Sequence, residues 1–200
     1  MTDIDFFFRS PRTGPEEGPF SQLYLLRRDI DTCFGTDPNT GDPTPHCKAI
    51  WPGTMTVLTG VDLLGQFLAG DDTHINGGVG GRFKSFLQQY MQMSASDAEV
   101  IYQLRNALLH TFGLYAEKIN GRDRVTATYH FTLGGEVPNL LAVTSADHYQ
   151  VDVQCLRERF ETAVGLYERE LRNQTHVIPS RLNDNFQLMF RKYERAIVIR

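Results

Sequence analysis

Apolar residues recur at helical spacing along most of this chain. Their period predicts a first helix from about Ser21 to Phe34 and a second helix that enters through Pro52. The second helix is apolar on most sides, so we expect it to be the central and most buried one. The same period predicts further helices: one through Phe83 and Tyr90, a motif helix from Ser94 to about Thr111, a long helix from about Tyr149 to Leu171, and a last helix after Ser180.

The period changes after Gly113, which is placed as a helix stop. From Val125 to Leu133, apolar residues alternate with threonine and histidine, the pattern of a half-buried strand. Residues 114–119 precede it and are joined to it through Asn120-Gly121, a good hairpin turn. Residues 139–144 supply a third strand. The sequence therefore predicts a small antiparallel β-sheet inserted after the motif helix.

The fold class predicted from these patterns is an α-rich α+β protein. Its 200 residues fit a single domain. The apolar run Ile4–Phe8, followed by prolines and glycines, predicts an arm or short strand and then a loop. We expect the domain to consist of an N-terminal arm (1–18), a helical core (20–112), a β insertion (113–145) and C-terminal helices with a tail (147–200).

Composition limits the range of partners. The chain is 41% hydrophobic and 22% charged, and its formal net charge is −4. A protein that coats nucleic acid needs a surplus of lysine and arginine to displace counterions, whereas this chain has a deficit. Any contact with RNA or a nucleotide is therefore expected in one local cleft.

The sequence also bears on location and cofactors. The acidic N-terminus lacks a signal-peptide pattern, and the most apolar stretch, Val57–Leu68, is too short to cross a bilayer, so we expect a cytoplasmic protein with no membrane contact. Cys33, Cys47 and Cys155 are odd in number and widely spaced, which suits thiols in a reducing compartment. His46-Cys47 lacks the C-x-x-C partner of common zinc sites. We predict no metal and no cofactor.

A glycine-rich loop, residues 71–81, precedes Arg82 and Lys84. Its backbone N–H groups and the two cations suggest a phosphate cradle, although the Gly-Lys-Ser/Thr ending of a Walker A loop is missing. A flexible connector is the favoured interpretation, and the loop residue His74 is interpreted in the same way.

The motif helix carries the one group of residues that points to chemistry, Arg105, Asn106 and His110. Asn106 and His110 are four residues apart, so they share a face, whereas Arg105 lies about 140° round the helix from His110. Convergence of Arg105 with His110 needs a long reach by the arginine, a distorted final turn or a second copy of the helix. The opposite face forms the predicted core stripe, which consists of Ile101, Leu104, Leu108 and Phe112.

These residue types suit phosphodiester cleavage by the 2′-hydroxyl of RNA. A histidine in the last helical turn exchanges protons near neutral pH, and a guanidinium stabilises charge on a phosphate. No metal is required. A structural role is the alternative, because Asp62 in the apolar second helix needs a partner when buried, and Arg105 is a plausible one.

The segment Leu104–His110 resembles the Arg-x4–6-His motif of the HEPN superfamily, in which a polar residue often follows the arginine, as Asn106 does here. Residues 61–64 and 80–87 also resemble a bacterial group that bears such a motif. The resemblance implies a helical bundle that dimerises to form a cleft. It implies metal-independent RNase activity in toxin–antitoxin or antiphage systems, with Arg105 and His110 catalytic and Asn106 as a positioning residue.

Two functions remain open from the sequence. The first is a homodimeric, metal-independent endoribonuclease, with an antitoxin as an expected type of protein partner. The second is a non-catalytic dimeric module that binds a nucleotide or a protein, with Arg105 fixed to Asp62. The enzyme requires Arg105 and His110 to be accessible in one cleft. The module requires Arg105 to be buried in an ion pair, with His110 facing elsewhere.

Overall fold

The computed structural model describes residues 1–13, 18–44, 48–73, 78–120, 123–134, 140–174, 180–193 and 197–199. Its helices are α1 (Asp3–Phe7), α2 (Gln22–Cys33), α3 (Ile50–Ala69), α4 (Gly78–Gln89), α5 (Ala95–Asn106), α6 (Val153–Gln174) and α7 (Arg181–Tyr193), and a π-helical turn (Ala107–Thr111) follows α5 directly. Its strands are β1 (Gly18–Phe20), β2 (Tyr115–Asn120), β3 (Asp123–Thr132), β4 (Leu141–Ser145), β5 (His148–Asp152) and β6 (Ile197–Ile199). The predicted α-rich α+β class is confirmed.

Helix α3 lies at the centre, as predicted, and packs against α2, α4, α6 and α7. Two of its glycines permit close approach of neighbours. A Cβ at Gly60 would lie 2.5 Å from Cζ of Phe160 in α6, and a Cβ at Gly65 would lie 2.9 Å from the carbonyl oxygen of Arg82 in α4. No helix in the described part of the chain, α3 included, is long and apolar enough to span a membrane.

Serine caps fix the beginnings of two helices. The hydroxyl of Ser21 accepts the backbone N–H of Tyr24 at 3.0 Å, and that of Ser94 accepts the N–H of Asp97 at 3.1 Å. Each hydroxyl satisfies one of the N–H groups that a helix leaves unpaired at its first turn. The predicted beginnings of α2 and of the motif helix are therefore confirmed.

The larger sheet has the strand order β2-β3-β5-β4. β2 and β4 lie antiparallel to their neighbours, but β3 and β5 are parallel, so the prediction of an antiparallel sheet is wrong. The difference arises because β5 (His148–Asp152) was predicted as the first turn of the long helix, which begins only at Val153. The sheet therefore extends beyond the predicted segment 113–145.

Strand β3 holds the sheet against the motif helix. Its predicted alternation is confirmed at Ala127 and Tyr129, which are buried, and at His130, which is exposed. Leu133, in contrast, lies beyond the strand and is exposed. The hydroxyl of Tyr129 donates to the carbonyl oxygen of Val100 in α5 at 3.0 Å. β2 and β3 are antiparallel as predicted, although Gly121 of the predicted Asn120-Gly121 turn lies outside the described residues.

The N-terminal segment is not the arm or strand that we expected, because residues 3–7 form α1. The hydroxyl of Thr2 accepts the N–H of Asp5, and the Asp5 carboxylate accepts the N–H of Thr2, which closes a capping box. Ile4, Phe7 and Phe8 are buried in the core. The segment is therefore an integral part of the helical core.

A second, two-stranded sheet joins the two ends of the described chain. β1 pairs antiparallel with β6, and Gly18 lies opposite Ile199 in the register. Neither strand was predicted, since three residues are too few to show an alternating pattern.

Candidate active site

The motif helix does not end as a regular α-helix. After α5, residues Ala107–Thr111 form the π turn, and the N–H of Phe112 donates to the carbonyl oxygen of Ala107. In a π turn the hydrogen bonds join residues five apart and the helix is wider, so residues five apart lie closer to one face than the roughly 140° of a regular α-helix allows. This is the distorted final turn that the convergence of Arg105 with His110 requires.

The guanidinium of Arg105 connects the cluster. Its Nε and Nη2 donate to Oδ2 of Asp62 at 2.8 and 2.6 Å. Its Nη1 lies 3.1 Å from Oδ1 of Asn106 and 3.1 Å from Nε2 of His110. The predicted pairing of Arg105 with Asp62 is confirmed, and the three motif residues are brought together by one chain.

Burial divides this cluster into an inner and an outer part. The side chains of Asp62 and Arg105 are each 14% exposed, whereas His110 is exposed. Burial raises the pKa of the Asp62 carboxyl, and its hydrogen bonds and ion pair with Arg105 oppose this shift. The charge on Asp62 therefore depends on the guanidinium beside it.

The contact with Arg105 assigns the tautomer of His110. A guanidinium donates and cannot accept, so Nε2 of His110 is the acceptor in this geometry. The ring proton then lies on Nδ1. In this geometry Nε2 of His110 is occupied by Arg105, and it becomes free to contact a substrate once Arg105 releases it.

A cleft of about 600 Å³ opens beside the cluster, between the first turns of α4 and the end of the motif helix. The described residues that line it are Val79, Gly80, Gly81, Lys84, Tyr102, Arg105, Asn106 and His110. Two of these residues, Lys84 and Arg105, carry positive charge, and none of them carries a carboxylate. Each cation is ion-paired with a carboxylate outside the lining, Arg105 with Asp62 and Lys84 with Glu99, so the cleft offers an anion N–H donors rather than a net positive charge.

Helix α4 supplies the wall opposite the motif. Lys84 Nζ lies 2.6 Å from Oε2 of Glu99 and 5.5 Å from the ring centre of Tyr102. A Cβ at Gly80 would lie 2.7 Å from Cζ of Tyr102, so glycine allows α4 to approach α5. Gly80 and Lys84 are four residues apart and share a helical face. The sequence shows that these two residues share a face, but the approach of that face to the motif helix is a tertiary contact that the spacing does not reveal.

Phe112 lies outside the core, so its predicted place in the core stripe is wrong. Ile101, Leu104 and Leu108 are fully buried, but Phe112 is 65% exposed. The wide π turn rotates every later residue relative to an α-helix, which moves Phe112 off the stripe.

The other sequence candidates are less informative. Gly78–Gly81 form the first turn of α4, while His74 and the rest of the loop from 74 to 77 lie outside the described residues. Cys33 and Cys155 are free thiols, and His46 and Cys47 lie outside the described residues. No group of three or more potential metal ligands occurs among the residues that the structure describes.

No protein-family model matches the chain, and no curated protein or solved structure is significantly similar to it. The geometry of the site is therefore the basis for its proposed function.

Proposed function

We propose that this protein is a cytoplasmic, metal-independent endoribonuclease of the HEPN-like type, which acts as a homodimer in a toxin–antitoxin or antiphage system. The observation that carries the proposal is the 3.1 Å contact between Arg105 Nη1 and His110 Nε2 on the wall of one cleft. At this separation a fixed cation and a proton-exchanging imidazole reach the same phosphodiester.

In the proposed reaction, the 2′-oxygen of a ribose attacks the adjacent phosphorus, and the bond from phosphorus to the 5′-oxygen of the next nucleotide breaks. His110 accepts the proton of the 2′-hydroxyl and returns a proton to the leaving 5′-oxygen. Arg105 stabilises the negative charge of the phosphorane. The phosphate takes the Nη1 donor from His110, which frees Nε2. The products are a 2′,3′-cyclic phosphate and a 5′-hydroxyl.

The homodimer is part of the proposal because His110 lies on an open wall. A two-fold axis next to this wall would set a second Arg105–His110 pair against the same RNA strand. An antitoxin protein that covers this wall would block the site. Light scattering on the purified protein measures whether two chains associate.

The second candidate is a non-catalytic dimeric module that binds a nucleotide or a protein. The observation that favours it is the use of Nε and Nη2 of Arg105 on Asp62, with both side chains mostly buried. An arginine held in this way stabilises the fold whether or not RNA is cleaved. A measurement of RNA cleavage distinguishes the two candidates, because only the first one cleaves RNA.

The first test incubates the protein in EDTA with a single-stranded oligoribonucleotide and with its 2′-deoxy counterpart. We expect cleavage of the ribose strand only, with cyclic phosphate ends, because the 2′-oxygen is the nucleophile. His110→Ala should lower the rate by roughly 10²–10⁴-fold without unfolding the exposed site. Absence of cleavage by the wild type, or equal rates in His110→Ala, would contradict the nuclease.

The second test separates catalysis by Arg105 from its structural role. Arg105→Ala leaves the carboxylate of Asp62 without its partner, so its inactivity alone is ambiguous. The double variant Asp62→Leu, Arg105→Met removes both charges, and we expect it to unfold at a higher denaturant concentration than Arg105→Ala. A folded double variant that remains inactive supports a catalytic arginine. Recovery of cleavage along with stability would show that the arginine is structural.

A further inference from the structure

Phe112 ends the π turn as its left-handed cap residue, a place that glycine usually fills, and its backbone N–H donates to the carbonyl oxygen of Ala107. Its φ of 53° and ψ of 38° place it in the left-handed region, which is unfavourable for a bulky residue with a Cβ. Burial of the ring could offset this cost, but Phe112 is 65% exposed. Strained residues of this kind cluster at functional sites.

The ring of Phe112 is nevertheless held in place. Its centre lies 5.7 Å from that of Trp51, with 34° between the planes, and Trp51 in turn lies 5.9 Å from Phe131 of β3. A partly buried tryptophan thus supports an exposed phenylalanine. The result is a fixed aromatic surface open to solvent.

This surface lies next to the candidate active site. Phe112 follows His110 by two residues, so their Cα atoms are at most about 7 Å apart, which is comparable to the length of one nucleotide. His110 lines the cleft together with Lys84 and Arg105, whose N–H groups can donate to a phosphate. A strand whose phosphate enters the cleft therefore has a base within reach of the ring.

We infer that Phe112 is a stacking platform for the nucleobase next to the phosphate bound in the cleft, and that the substrate is single-stranded RNA. This inference rests on the proposed function, because it takes RNA as the occupant of the cleft. A base in a duplex is already stacked on its neighbours, whereas a base in a single strand is free to stack on an aromatic ring. Every base has a π-face, so the platform tolerates different sequences at this position.

The test measures binding separately from cleavage. A 2′-O-methyl oligonucleotide has no free 2′-hydroxyl, so it binds the wild-type protein without being cut. Trp51 is the only tryptophan of the chain and supports Phe112, so its fluorescence reports a base that stacks there. We expect quenching on titration with the single strand and little quenching with a duplex of the same sequence.

Three variants make the test specific. Phe112→Gly removes the ring and is favoured by the left-handed backbone, so the variant folds. We expect it to weaken binding by roughly 5- to 150-fold, the range typical of one stacked base. Phe112→Tyr keeps a ring and should bind like the wild type. Leu188→Ala, which changes an exposed apolar residue of α7, is the matched control and should also bind normally.

Each outcome bears on the platform. Equal affinity of Phe112→Gly and wild type overturns it, even when RNA is cleaved. A dimer that dissociates in Phe112→Gly, with unchanged affinity per dimer, makes the ring a contact between copies and also overturns it. Weakened binding in Phe112→Gly without any cleavage by the wild type supports the platform and refutes the nuclease. A wild type that neither binds nor cleaves RNA refutes both.

Discussion

Arg105 contacts both Asp62 and His110, and only the first of these contacts could be predicted from the sequence. Burying an unpaired carboxylate costs folding free energy. Asp62 in the apolar α3 therefore needs a cationic partner, and Arg105 was a candidate. The contact with His110 depends on the π turn, Ala107–Thr111. A distorted final turn was one of three ways in which Arg105 and His110 could converge, but no residue spacing in the motif selects it over the other two.

The same turn explains the error at Phe112 and gives a prediction about stability. We expect Phe112→Gly to unfold with a higher free energy than Phe112→Ala, by about 1 kcal/mol, because only glycine occupies φ near 53° without strain. Both variants lose the same contact with Trp51, so this loss cancels in the comparison. Urea denaturation measures the difference. The opposite order would mean that the residue is not left-handed in solution.

At the scale of elements, the longer helices were predictable and the shortest elements were not. Helices such as α3 and α6 carry apolar residues over several turns, so their period is unmistakable. β5 was missed because Tyr149 and Val151 continue directly into Val153 of α6, and the two periods merge. The parallel pairing of β3 with β5 depends on contacts between distant residues, which a local pattern does not reveal.

The packing of α3 against α4 gives a prediction at this scale. Gly65→Ala should destabilise the protein by about 1–3 kcal/mol, because its Cβ would meet the backbone of Arg82 at 2.9 Å. Gly165→Ala in α6 is the control, since a Cβ there has no neighbour within 4 Å. We expect this control to gain about 0.5–1 kcal/mol from the better helix propensity of alanine. Thermal and urea unfolding of both variants measure the contrast, and equal effects would contradict the close packing.

At the scale of the whole molecule, the charge distribution limits how RNA binds. The formal net charge is −4, and Lys84 and Arg105 are the charged residues among those described in the wall of the cleft. We expect few phosphates to be neutralised, so the slope of log K against log salt should be about −1 to −2 for a single strand. Fluorescence titrations at several salt concentrations measure this slope. A much steeper slope would indicate an extended basic surface elsewhere.

The pairing of β1 with β6 has a consequence for the order of folding. These strands are separated by nearly the whole chain, so β1 has no strand partner until β6 has been synthesised. The candidate site is encoded in α3, α4 and the motif helix, all of which precede β2 and are synthesised well before β6. On a ribosome, β1 therefore stays an unpaired edge until β6 has emerged, after α6 and α7 have been made. A nascent chain of this protein is therefore exposed to premature association through β1 for almost the whole of its synthesis.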